Sequence, residues 1–221
     1  MAIGIMFGVF FAALLAVFII AGAIQSYNEP LECYQDMTDK DILRAIDNQI
    51  DGIVNAEILA GSSLLTKREA SARLKRLNYR GLLKTNYNTK NFKAFYMLKQ
   101  PIKEGPYPIL SEHPFLSLSD LMILFKFYDY RLSIQDICLA TGLPVVIIQK
   151  EMKYFIKKEI IQEIQNWTSD GMTLNGKFYI LQNQYKSNPD SYIDEEEAVD
   201  LDLSVMYEEM IGKMDKRKKD L

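Results

Sequence analysis

Residues 56–84, AEILAGSSLLTKREASARLKRLNYRGLLK, and residues 132–164, LSIQDICLATGLPVVIIQKEMKYFIKKEIIQEI, carry the same signals in the same order. Each opens as a short helix, breaks at a turn holding Gly61 or Gly142, and resumes as a longer helix, about Thr66 to Asn78 in the first and Val145 to Lys158 in the second. Extended, β-prone segments follow. Leu82 to Tyr87 and Phe92 to Leu98 read as two strands around the turn Asn88-Thr89-Lys90-Asn91. Ile160 to Trp167 and Lys177 to Leu181 read as two more, around a loop that contains Asp170-Gly171 and Asn175-Gly176. Leu74, Leu77, Leu82 and Leu83 align with Met152, Phe155, Ile160 and Ile161 at a constant offset of 78, whereas the turns align at 81. Agreement in order, spacing and apolar positions indicates an internal duplication of fold.

A further helix precedes each stretch. Thr38 is a good N-cap before the acidic first turn Asp39-Lys40-Asp41; Ile42, Leu43, Ile46 and Ile50 share one face, and Gly52 ends the helix before the extended pair Ile53-Val54. In the second copy Ser119-Asp120 opens a helix with Leu121, Leu124 and Phe125 on one face, and Arg131-Leu132-Ser133 is the short extended piece.

Helix, short strand, helix, tight turn, helix and hairpin is the winged helix-turn-helix order. The second stretch resembles that family through Ile137, Ala140, Gly142, Val146, Met152 and Phe155, and the first through its Arg80-Gly81-Leu82-Leu83 exit into the hairpin. The resemblance covers about two-thirds of the chain. It implies a mainly α fold with small β-hairpins (α+β), with a first winged helix at 38–103 and a second at 104–187. It leaves function open, because such units serve both as DNA readers and as protein-docking modules.

Charge separates the two copies. The net charge of −3 hides a segment, 51–103, with eleven basic and three acidic side chains, against eight basic and nine acidic in 104–186. A field of this kind points to a polyanionic partner for the first unit alone, namely duplex DNA. Lys67, Arg68, Ser71, Arg73, Lys75 and Arg76 on its third helix, with Lys90 and Lys93 at the hairpin tip, are the candidate DNA-binding residues, placed to neutralise phosphates on either side of a groove. A solvated basic face that meets acidic protein surface is the competing account. The equivalent helix of the second unit starts Val145-Val146-Ile147-Ile148, which suits burial or docking to the first unit, a second copy or another protein.

At the N terminus, residues 2–24 carry no charge and are long enough to cross a hydrocarbon core of about 30 Å as a helix. The expectation is a membrane anchor at 1–25 and a linker at 26–37. Lys40 and Arg44 after the span favour a body that faces the cytoplasm from the inner or cell membrane. A cleaved signal peptide at Ala21-Gly22-Ala23 competes, against a missing basic n-region and an overlong apolar run. Gly4, Gly8, Ala12 and Ala16 line one face as candidate helix-packing residues, and Cys33 is a candidate for acylation. At the other end, 188–221 holds the acidic run Asp194 to Glu197 and then Val199, Leu203, Met206, Met210 and Met214 at helical spacing. These read as an amphipathic helix that packs on its own domain or serves a homodimer or partner.

Two cysteines far apart and a single His113 leave no disulfide framework, no metal cluster and little scope for nucleophile-base catalysis. No phosphate loop or cofactor motif occurs, so an enzyme is not expected. Two classes remain. One is a membrane-anchored transcription regulator or DNA-tethering factor, similar to membrane-anchored one-component regulators but without their extracytoplasmic sensor. The other is a membrane-associated scaffold of paired winged helices, similar in that pairing to the segregation and condensation protein B family.

Overall fold

A computed structural model describes residues 37–103, 105–167, 174–187, 189–192 and 200–209. Helix α1 (Asp39–Asp47) starts at a capping box in which Thr38 and Asp41 each accept the other's backbone N–H, and it buries Ile42, Leu43 and Ile46. It stops three residues before Ile50, which is fully exposed, contrary to the four-residue face expected: Asn48 caps the helix and Gly52, at φ +64°, turns the chain into β1 (Ile53–Val54). Asn55 caps α2 (Ala56–Gly61) by accepting the N–H groups of Glu57 and Ile58. The Ser62 and Ser63 hydroxyls donate to the last carbonyls of α2, so serines rather than Gly61 close this turn. A second capping box, Thr66 with Glu69, starts α3 (Lys67–Tyr79), and the hairpin β2 (Leu83–Tyr87) and β3 (Ala94–Leu98) follows. β1 pairs antiparallel with β3, giving a three-stranded sheet in the order β1-β3-β2.

The second half repeats this order. Ser117, two residues before the expected start, caps α4 (Leu118–Phe127). Ser133 and Asp136 form the capping box of α5 (Ile134–Thr141), Gly142 ends it at φ +75°, and α6 (Val145–Lys157) leads into β4 (Ile161–Trp167) and β5 (Leu174–Leu181). Asn175 and Gly176 therefore lie in β5 and not in the loop expected; the strand absorbs them through a register shift at Asn166/Trp167. Leu132 bridges to Tyr179 as Val54 pairs with Tyr96.

The 78-residue offset recurs at the level of hydrogen bonds. Asn55 and Ser133 cap the second helices, and Thr66 and Pro144 precede the third. Leu82 N donates to Leu77 O and Ile160 N to Phe155 O, both at 3.0 Å, with Gly81 and Glu159 at positive φ between. The different turn offset arises because α2 ends earlier and its connection is longer, while the start of the third helix keeps register.

The two halves share one apolar core that runs from Ile42 to Leu203. Helix α1 lies against α5, and polar links cross between halves: Arg80 Nη1 donates to Gln149 Oε1, the Val145 amide donates to Asp39 Oδ2 at 2.9 Å, and Gln135 Nε2 donates to the Gln100 carbonyl at 3.0 Å. Helical residues 200–209 close the second unit. Leu203 is buried, Asp200 accepts the Leu118 amide at 3.1 Å, and Asp202 accepts from Tyr154 Oη at 2.9 Å and Lys158 Nζ at 3.1 Å. Here the amphipathic segment packs on its own domain; Met210 and Met214 lie outside the described residues.

The observed class is α+β with small sheets. No helix among the described residues is long and apolar enough to cross a membrane, so the fold class is corrected to α+β with small sheets, with no transmembrane helix among the described elements. Among the described residues the longest helices, α3 and α6, have 13 residues each, short of the roughly 20 that a span requires. The single-pass membrane location is corrected with it. The apolar run 2–24, its small-residue face at Gly4, Gly8, Ala12 and Ala16, and Cys33 lie outside the described residues.

Candidate nucleic-acid interface

The basic residues of α3 and of the β2–β3 hairpin divide into three groups, and the helical periodicity of α3 makes much of the division. Ala70, Leu74 and Leu77 form the apolar inward face, and Arg73 and Arg76 flank it, so both guanidinium stems go inward as well. Arg73 is 1% exposed; its Nη2 donates to Asp39 Oδ1 at 2.9 Å and its Nη1 to the Met37 carbonyl at 2.5 Å. Arg76 is buried too, and burial beside Arg80 lowers its pKa to about 10. The structure therefore removes Arg73 and Arg76 from the surface expected to face DNA. Arg73 has an internal task, tying α3 to the start of α1.

The second group is Lys67 and Lys93. Lys67 Nζ donates to Glu57 Oε1 at 2.5 Å and Lys93 Nζ to Glu57 Oε2 at 2.9 Å. One carboxylate in the first turn of α2 thus brings together the start of α3 and the base of the hairpin tip, residues 26 apart in sequence. These two donors hold the Glu57 carboxyl down to about 2, so it is ionised throughout the neutral range. Sequence reading missed Glu57: its partners are 10 and 36 residues away, and no local pattern links them.

Arg68, Lys75, Lys84 and Lys90 make up the third group. All are exposed, and they form no ion pair among the described residues. Arg68, Ser71 and Lys75 succeed one another at three- and four-residue steps on the outer face of α3, with Ser71 half-buried between the two charges. Lys84 and Lys90 are on the hairpin. Thr66 and Glu69 fix the helix start, and the hairpin register from Leu83↔Leu98 to Tyr87↔Ala94 fixes the wing.

The tip itself is tightly bonded. Asn88 N donates to Lys93 O at 3.0 Å, Phe92 N to Asn88 O at 2.9 Å, Lys90 N to Asn88 Oδ1 at 2.8 Å and Lys93 N to Asn91 Oδ1 at 3.1 Å. Phe92 stands at φ +52° and Tyr87 is exposed beside it.

In the second unit the corresponding helix start is closed. Val145, Ile147 and Ile148 are buried and Val146 is half-buried, which answers the apolar opening of α6 by docking inside the chain. Pro144 provides no side-chain cap, and Asp39 of α1 takes the Val145 amide in its place. Cys138 is buried, with its thiol pushed up by desolvation, so it presents no reactive group; His113 is exposed and stacks on Phe115. Among the described residues no group of His, Cys, Asp and Glu has the geometry of a metal site. No family model matches the chain, and no curated protein matches it.

Proposed function

We propose that residues 38–103 form a winged helix-turn-helix that holds duplex DNA, chiefly through phosphates, as the DNA-binding element of a transcription regulator. Residues 104–187 form a second unit of the same kind that braces the first. One contrast supports this reading: the first unit exposes Arg68 and Lys75 on α3 with Lys84 and Lys90 on the hairpin, while the second unit buries the start of its equivalent helix under Asp39. Cations on both sides of a groove-sized feature neutralise phosphates, whereas a helix start closed by a carboxylate repels them.

Anisotropy of random duplex DNA titrated with the full-length chain over a salt series tests the proposal. With about four phosphates neutralised, the logarithm of affinity falls on the logarithm of salt with a slope of about −3 to −4. Arg68→Ala and Lys75→Ala each flatten that slope by about one unit, while Lys150→Ala and Lys153→Ala leave it unchanged. Flattening by the latter pair alone would move the site to the second unit. Absence of binding at low salt would overturn the proposal in favour of protein docking.

A further inference from the structure

Phe92 is 80% exposed and sits in left-handed backbone, a conformation that glycine or asparagine adopts readily and a bulky aromatic rarely does. The four hydrogen bonds of the tip hold it there, so its ring stands out from a bonded loop. The loop that carries it is polar and cationic: Asn88, Lys90, Asn91 and Lys93 are all exposed, and Tyr87 at the end of β2 is an exposed second aromatic. A protein-docking hydrophobe is ordinarily set among other apolar groups, with charge depleted at the centre. An exposed aromatic ring on a loop that also carries two lysines fits a ligand that is anionic outside and π-faced or apolar inside, which describes a nucleic acid: phosphates for the lysines and base steps for the ring.

We infer that the hairpin tip is a wedge, in which Phe92 enters the minor groove of duplex DNA and partly unstacks one base step while Lys90 and Lys93 hold the flanking phosphates. This rests on the DNA-binding reading and adds to it a residue that selects deformable sequence. Pyrimidine–purine steps unstack most easily, so the wedge favours sites that place such a step under the hairpin.

The test uses the full-length chain and duplexes with 2-aminopurine beside a central TA step. Wild-type protein raises the 2-aminopurine fluorescence on binding. Phe92→Ala abolishes the rise and weakens binding about tenfold with the salt slope unchanged, whereas Lys90→Ala keeps the rise and flattens the slope by about one unit. Phe92→Gly separates binding from folding, because glycine suits the left-handed backbone: thermal stability is kept or increased while the fluorescence rise is lost. Unchanged affinity and fluorescence in both Phe92 variants would overturn the wedge while leaving phosphate binding intact. Wild-type binding to single strands only would also overturn it. A wild-type chain that binds no duplex at low salt would instead sink the DNA-binding reading itself.

Discussion

Asp39 closes the N terminus of α6 from 106 residues away: its Oδ2 accepts the Val145 amide at 2.9 Å, while its Oδ1 accepts from Arg73. One buried carboxylate thus joins α1, the third helix of the first unit and the third helix of the second. Removing it takes from the buried Arg73 guanidinium its carboxylate partner on α1. Asp39→Ala is expected to cost about 3–5 kcal/mol of unfolding free energy in urea titration, and the double variant Asp39→Leu/Arg73→Met to recover much of that loss.

Glu57 acts against the anion that its lysines would otherwise bind. A phosphate must displace the carboxylate from Lys67 and Lys93 or bind beside its negative charge. Glu57→Gln is expected to raise duplex affinity several-fold and to steepen the salt slope by about one unit. Lowered affinity in that variant would mean that Glu57 serves to aim the two lysines.

Glu151 gives the fold a pH dependence. It lies buried on α6, accepting the Leu116 amide at 3.2 Å, and desolvation raises its pKa to about 8. The folded state therefore holds a proton that the unfolded chain releases near the ordinary carboxyl value. Stability falls as pH rises from about 4.5 to about 8 and then levels. Glu151→Gln, which keeps an acceptor for Leu116, is expected to flatten that decline in urea titrations across the same range.

Leu203 tests the closure by residues 200–209. It is fully buried against the second unit, so Leu203→Ala is expected to destabilise the chain by about 2–4 kcal/mol in thermal or urea unfolding.

Local order was readable along the chain, while relations between distant side chains were not. Thr38 announces its helix because capping is decided within four residues, and the starts expected at Thr66 and Ile134 lie within one residue of those observed. The hairpins follow from alternation and turn chemistry, though β5 starts three residues before its expected position at Lys177 because the bulge carries Asn175-Gly176 into the strand. Charge counting located the basic unit but could not sort its members. Arg73 and Arg76 share a helix with Arg68 and Lys75, and only the packing of α3 on the core decides which pair points inward. Pro144 did hold a clue: a helix starting behind proline with no acidic residue in its first turn needs an acceptor from elsewhere.

That borrowed acceptor means the two halves are no longer interchangeable modules. Separated between 103 and 105, the first half would keep Asp39 with one lobe unsatisfied, and the second would present an uncapped helix start at Val145. Autonomy has been exchanged for cooperativity: denaturant is expected to produce a single transition from Thr38 to Leu203, with no plateau in which one half survives the other.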